Sequence, residues 1–322
     1  MLLVLCGPTA TGKSAAAIAL ARRVGGEVVN ADSRNVYRGL DIGTAKPTPA
    51  ERAGVPHHLV DVADPREVFT VADYQRLALA AIEAIHARGR LPILVGGTGL
   101  YIRAVVDRLT IPAVPPDAAF RLAAEAEEAA RPGTLHARLQ ALDPVAAARI
   151  HPRNVRRLVR ALEVIHHTGR PLSAQQGRRG APEPVLQVGL RLPRPLLDER
   201  IDRRVEAQLA AGLVEEVRGL LAAGVPPTAP AMQGLGYKEL VPYLEGRLPL
   251  DRAVAILKRN TRRYARRQEI WFRADPRIQW LDVEGLDAEA VAERVHAMLA
   301  AFAAAPLQRG VAAHPDAGRR VT

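Results

Sequence analysis

The chain has 322 residues, 48% of them hydrophobic and 25% charged, with a net charge of +11 and a single cysteine. No apolar run reaches the ~20 residues that a membrane helix needs, and one thiol excludes an intrachain disulfide or a cysteine metal cluster. An isoelectric point near 10.5 goes beyond what solubility requires and points to a polyanionic partner.

The opening run Leu2 to Cys6 predicts a strand; because it leads straight into a glycine motif with no basic segment ahead of it, a signal peptide is not expected. A helical period follows from Ser14 to about Val24, then a second strand from Glu27 to Asn30 ending at Ala31-Asp32. His57-His58 precede a strand-like Leu59-Val60-Asp61, with no partners at the spacing a zinc site would need. Helix signals return over Val71 to Arg88, and Pro92 to Val95 reads as a buried strand stopped by Gly96-Gly97. This alternation predicts a parallel α/β sheet flanked by helices. Between the proline clusters at 112–116 and 182–184 the pattern is helical throughout, with no convincing strand, so an all-helical insertion is expected there. Val185 to Leu192 predicts a returning strand, Asp198 to Ala222 one long amphipathic helix, Asp251 to Phe272 a very basic helix, and Ile278 to Leu281 a last strand. From about Ala303 the composition predicts disorder.

Gly7-Pro8-Thr9-Ala10-Thr11-Gly12-Lys13-Ser14 fits G-x-x-x-x-G-K-[ST], and its place between a strand and a helix is the context that motif requires. Backbone N–H groups there form an anion nest, Lys13 adds a point charge, and the Ser14 hydroxyl is a candidate Mg²⁺ ligand. A di- or triphosphate is therefore expected, but kinases, ATPases and GTPases share this loop. Asp32, at the carboxyl end of the next strand, reads either as a cap for the following turn or as a general base beside the phosphate. Only four of the 45 basic residues are lysines, and Lys13, Lys46 and Lys238 each fall within a motif. Arg156-Arg157-Leu158-Val159-Arg160 and the run from Arg262 to Gln268, with Trp271 and Phe272 behind it, are either solvated helix faces or stripes for nucleic-acid phosphates.

Read together, Gly7 to Ser14, the segment ADSRNVYRGLDIGTAKP at 31–47, PHHLVD at 56–61, VGGTGLY at 95–101, RNVRRLVRALEV at 153–164, GYKE at 236–239 and the stretch 261–273 closely resemble the tRNA dimethylallyltransferase family in its bacterial form. The resemblance runs in order from residue 1 to about 285. It implies a fold of the P-loop NTPase type, with residues 1–112 and 185–302 as the core, 113–184 as a helical tRNA-binding insertion, and 303–322 as a disordered tail. It implies transfer of a dimethylallyl group from dimethylallyl diphosphate to N6 of adenosine 37 beside the tRNA anticodon, in a cytoplasmic, monomeric enzyme using Mg²⁺. Asp32 matches the catalytic aspartate; Thr9 and Lys13 lie at the diphosphate, and Arg200 and Arg204 match arginines that approach it. Asp32, Ser33, Arg34, Asn35 and Thr98 match contacts to the target nucleotide, and 156–160 match contacts to the anticodon stem-loop. Positions 34 and 35 are Arg-Asn here where many relatives have Met-Gln. The rival readings are an adenylate isopentenyltransferase, for which the arginine-bearing insertion is superfluous, and an RNA-binding P-loop ATPase.

Overall fold

Leu2, Leu3, Val4, Leu5 and Cys6 are all completely buried, yet they divide by parity: Leu2, Val4 and Cys6 join one hydrophobic cluster, and Leu3 and Leu5 another. Side chains alternate across a strand, so a continuous apolar run with a core on each side marks the centre of a sheet covered on both faces. The computed structural model describes residues 1–305. It divides into two compact units, Met1–Val106 with Ala181–Ala305, and Asp107–Gly180.

The first unit begins with β1 (Leu2–Cys6), α1 (Lys13–Val24), β2 (Glu27–Asn30), the short α2 (Pro49–Arg52), β3 (His57–His58), α3 (Val71–Ala87), β4 (Pro92–Gly96) and α4 (Gly99–Val106). The second contains β5 (Leu109–Thr110), α5 (Ala118–Ala130), α6 (Thr134–Leu142), α7 (Pro144–Arg149), α8 (Val155–Thr168), α9 (Leu172–Gln175) and β6 (Gly177–Arg178). The chain then returns to the first unit with β7 (Val185–Arg191), α10 (Arg194–Ala210), α11 (Leu213–Ala222), α12 (Tyr237–Leu244), α13 (Leu250–Arg273), β8 (Ile278–Asp282) and α14 (Ala288–Ala304).

The six strands of the first unit form one sheet in the order β3-β2-β4-β1-β7-β8, every neighbouring pair parallel. Leu3 is in register with Ile93 and Val28 with the same Ile93, so β4 is the strand between β1 and β2. The segments that follow β1, β4 and β2, namely the glycine loop, Gly96-Gly97-Thr98 and Asp32, therefore emerge side by side at the carboxyl edge, where open parallel sheets place their sites.

In the helical unit α5, α6, α7 and α8 enclose a small core of Leu135, Leu139, Leu158, Val159 and Leu162. Glu163 lies within it, completely buried, and accepts from Arg121, from Arg160 at 2.6 Å and from the Asp117 N–H at 2.8 Å. Burial works against this carboxylate, but those donors outweigh it and hold its pKa down at about 2.

Four expectations are corrected. The single helix over 198–222 is two, α10 and α11, because Gly212 takes φ 98°, a left-handed conformation that ends one helix and caps the next. Leu59 and Asp61 have φ near 60°, so the strand stops after His58. The helical unit contains a two-residue antiparallel pair, β5 with β6, and β6 falls in the segment where no strand is expected. Residues 303 and 304 continue α14, and the rest of the expected tail, 306–322, lies outside the described residues.

Glu27 opens β2 almost wholly buried and receives Arg88 at 2.7 Å, His58 at 2.7 Å and Arg90 at 3.3 Å. The Arg88 hydrogen bond chiefly, with His58 assisting against the opposing effect of burial, pulls its pKa from 4.5 to about 2. A depressed carboxylate pKa stabilises the fold above its ordinary value, and that contribution is lost as pH falls through the folded one. Glu27→Gln should cost about 1–3 kcal/mol at pH 7, trimmed because the arginines are half exposed, and the gap to wild type should narrow between pH 4.5 and 3 in urea titrations. A gap that stays constant over that range would separate Glu27 from the acid sensitivity of the fold.

Candidate active site

The loop between β1 and α1 is fastened from within. Thr11 Oγ1 donates to the Pro8 carbonyl at 3.0 Å, and Lys13 Nζ donates to the same oxygen. Ser14 is exposed in the first turn of α1, which carries no acidic residue. From α13 the buried Gln268 accepts the Thr9 N–H at 2.8 Å and donates to the Gly97 carbonyl at 2.9 Å. A β-carbon at Gly97 would lie 2.1 Å from Gln268 Nε2, so only glycine leaves room for this contact. Arg204 of α10 comes within 3.4 Å of Thr9 Oγ1. Arg200, one turn earlier, is partly exposed and makes no hydrogen bond to the loop among the described residues.

The Asp32 turn is set by Asn30, whose side chain donates to the Asp32 and Leu59 carbonyls at 3.1 and 3.0 Å and accepts the Asp32 N–H at 3.1 Å. Asp32 Oδ1 accepts the Arg34 N–H at 2.8 Å. The capping reading of this residue is met: one carboxylate oxygen caps the turn and fixes the plane, while Oδ2 makes no hydrogen bond among the described residues. The Ser33 N–H donates to Thr98 Oγ1 at 3.0 Å. Tyr74 supports the turn from below, donating to the Asn30 carbonyl at 2.9 Å and stacking on Tyr101 with ring centres 3.7 Å apart.

The charges in this site act on one another. Burial first, and the positive field of Arg204 second, lower the Lys13 pKa from 10.5 to about 8, with Asp32 pulling the other way. Burial also lowers Arg204, again opposed by Asp32. Tyr264 is pushed up to about 12, by burial first and by the Asp32 charge second. Two cations, one carboxylate and a set of loop amides make a site for a phosphorylated ligand, with a proton acceptor close by.

The chain is similar to known proteins along most of its length. The IPP transferase family model matches residues 35–275. The tRNA dimethylallyltransferase of Thermomicrobium roseum is 54% identical over 284 residues, covering 87% of this chain and 86% of that protein. That of Symbiobacterium thermophilum is 53% identical over 291 residues, covering 89% and 91%. The chain belongs to the IPP transferase family. Among solved structures, the full-length tRNA isopentenylpyrophosphate transferase of Bacillus halodurans superposes with a TM-score of 0.71 at 43% identity, covering 94% of this chain and 96% of that one. A eukaryotic dimethylallyltransferase, described in crystallographic snapshots acting on tRNA, gives 0.79 at 28% identity and covers 94% and 79%.

In this IPP transferase the expected site residues sort into three groups. Gly7 to Ser14, Asp32, Ser33, Thr98 and Arg204 are brought together as described. Arg34 and Asn35 follow in the same turn but are engaged elsewhere: Arg34 donates to the Pro230 carbonyl, while Asn35 is buried, its Oδ1 without a partner. The expected contact segment 156–160 needs correction. Arg156 and Arg157 are exposed, but Leu158 and Val159 point into the core of the helical unit, because with Val155 and Leu162 they recur three and four residues apart and form the apolar stripe of α8. Arg160 is held by Glu163 and the Val114 carbonyl. Arg262, read as part of a phosphate stripe, pairs with Asp202. Gln268 and Tyr264 were not singled out from the sequence; a lone glutamine and tyrosine at positions four apart, on the side of α13 that carries the buried Ala265, were the available signal.

The segment DIGTAKP at 41–47 is a buttress. Glu216 of α11 accepts the N–H groups of Asp41, Ile42 and Gly43 at 3.0, 2.7 and 3.1 Å, and Gln208 donates to the Ile42 and Gly43 carbonyls. Lys46 is buried, donating to the Tyr37 carbonyl at 2.9 Å and pairing with both Asp41 and Asp61. The stretch that leaves Asp32 is thereby closed on itself. Lys46→Met should destabilise the protein by about 1–3 kcal/mol, since it leaves two partly exposed carboxylates and a buried carbonyl without their donor. Hydrogen exchange at 37–46 should rise more than in β1, and uniform loosening across the protein would assign Lys46 no local role.

Proposed function

We infer that this IPP transferase moves a dimethylallyl group from dimethylallyl diphosphate to N6 of adenosine 37 beside a tRNA anticodon, releasing diphosphate. The observation that carries the reading is the placement of a phosphate loop and an Asp32 carboxylate with one unengaged oxygen on strand ends separated only by β4. The relatives named above, tRNA dimethylallyltransferases at about half identity, support the reaction class.

In this mechanism the loop amides, Lys13 and Arg204 hold the diphosphate and stabilise the charge that grows on it as the bond from its oxygen to the prenyl C1 breaks. The adenine N6 forms the new bond to C1 and gives up a proton, which Asp32 Oδ2 accepts. Thr9, between Gln268 and Arg204, is fixed at the mouth of the loop. Thr98 and Ser33 form the wall on the base side. Arg156 and Arg157 supply exposed cations for tRNA phosphates, each a sequence-independent and salt-sensitive contact. The site residues also fit a magnesium ion. Ser14 presents a hard oxygen at the first turn of α1, and since no group of three or more histidine, cysteine or carboxylate side chains gathers among the described residues, the remaining ligands would be diphosphate oxygens and water. When bound there, magnesium supplies charge neutralisation to the leaving diphosphate. No helix among the described residues is long and apolar enough to cross a membrane, and a cytoplasmic monomer is the form we propose.

The direct test is transfer of labelled dimethylallyl to an anticodon stem-loop bearing adenosine at position 37. Asp32→Ala should lower the rate by about 10²- to 10⁴-fold while leaving stem-loop affinity within a few-fold. Hydrolysis of ATP with no label on RNA would replace the transferase by a nucleotide-driven RNA binder.

A second expectation concerns pH. Diphosphate needs the charged form of Lys13, and in the ligand-free site that proton is lost as pH rises through about 8. Calorimetry should therefore find diphosphate affinity falling as pH rises above 8, with proton uptake by the protein on binding at pH 8.5. Lys13→Met should abolish the uptake, and Ser14→Ala should remove the enhancement of binding by Mg²⁺. Affinity independent of pH from 7 to 9 would take Lys13 out of contact with the anion.

A further inference from the structure

We propose that Gln268 is a positioning residue that sets the phosphate loop against the Asp32 turn, so that it governs turnover and not donor affinity. The inference rests on the transfer reading above and extends it to a residue that touches neither substrate.

The geometry is a continuous link across the mouth of the site. The Thr9 N–H is received by Gln268 Oε1 at 2.8 Å, Gln268 Nε2 is received by the Gly97 carbonyl at 2.9 Å, and the next residue, Thr98, receives the Ser33 N–H at 3.0 Å through its hydroxyl. Ser33 adjoins Asp32. The loop that holds the leaving group and the turn that holds the base are thus joined through one amide side chain, and that side chain is 95% buried. A buried primary amide with both oxygen and nitrogen engaged has a single satisfied orientation, and turning it over would set donor against donor at Thr9 and acceptor against acceptor at Gly97.

Two features set Gln268 apart from ordinary packing. Gly97 has no room for a β-carbon beside Nε2, so residue 97 and residue 268 are sterically matched across 171 positions of sequence. The Thr9 N–H is consumed by Gln268, so it takes no part in the amide nest for phosphate. Losing the glutamine would therefore leave the anion-binding donors from Ala10 to Ser14 in place while removing the constraint on where they stand relative to Asp32. Reaction geometry is sensitive to displacements of about 1 Å, which cost on the order of 10²-fold in rate, whereas binding of a flexible diphosphate is not.

The experiment measures kcat and KM for dimethylallyl diphosphate and for the anticodon stem-loop with wild type, Gln268→Ala, Gln268→Glu, Gly97→Ala and the Gln268→Ala/Gly97→Ala double variant, each checked for an unchanged melting temperature. Gln268→Ala should lower kcat by about 100-fold with both KM values within about threefold, the signature of an interaction needed only for the transition state. Gln268→Glu keeps an acceptor for Thr9 but sets an oxygen against the Gly97 carbonyl, and should fall between the two. Gly97→Ala should displace the glutamine and match Gln268→Ala, and the double variant should be no worse than either single one. Should Gln268→Ala fail to fold, Gln268→Glu and Gly97→Ala decide the matter by the same split. An unchanged kcat, a loss confined to KM, or losses that multiply in the double variant would overturn the proposal. A wild type that transfers no label overturns the transfer reading and this role with it, whereas a wild type that transfers beside an unimpaired variant overturns the positioning role alone.

Discussion

The position of β4 between β1 and β2 is the constraint on which the site depends. Neighbouring strands lie about 4.8 Å apart, so the ends of β1 and β2 are separated by roughly 10 Å with one strand end between them. Anything bulky on that intervening end would wall the phosphate loop off from Asp32. The sequence there is Gly96-Gly97-Thr98, and each position is filled by a neighbour: the Ala31 carbonyl presses on Gly96, Gln268 on Gly97, and the Ser33 N–H on the Thr98 hydroxyl. A phosphate site and a proton acceptor at this separation suit a reaction that joins two reactants, one of them phosphorylated.

Carboxylates that are buried, or in the case of Glu216 half-buried, do much of the work of shaping the loops. Glu27 gathers Arg88, Arg90 and His58 at the start of β2, and Glu216 gathers three consecutive backbone N–H groups and the Tyr237 hydroxyl. Glu163 does the same within the helical unit. Each is an anion surrounded by several donors, the condition under which a buried charge ceases to be a liability. The segment 41–47 owes its form to this chemistry, and its Lys46 is internal, which explains why a motif rich in polar residues need not face substrate.

Much of this was legible in the chain. The apolar run, the glycine loop and the helical period after it determine β1, the loop and α1 almost by local rules, and Asp32 at the end of β2 follows from the topology of parallel sheets. What was not legible depends on partners distant in sequence. Gln268 stands in a run of arginines and reads as surface; its burial is decided by how α13 lies against a loop 259 residues earlier. The break at Gly212 was hidden because one glycine in a helical pattern is usually tolerated, and only its left-handed φ reveals a turn. Leu158 and Val159 were separable from Arg156 and Arg157 by helical phase alone; treating the five residues as one contact segment discarded that phase.

The arginine excess also takes on a different meaning once partners are assigned. Arg88, Arg90, Arg121, Arg160, Arg191 and Arg262 are each paired with a carboxylate, so a count of basic residues overstates the cations available to RNA. Those left exposed act through an overall field, which steers a polyanion without selecting it. Selection has to come from the site, where the choice between lysine and arginine matters. A guanidinium stays charged through burial, so Arg204 is a fixed positive charge. Lys13, a point charge that burial and Arg204 both disfavour, responds to what arrives. A site built from one constant and one responsive cation, opposed by a single carboxylate, carries at most one net positive charge, and together with the loop amides it favours an anion over a neutral ligand.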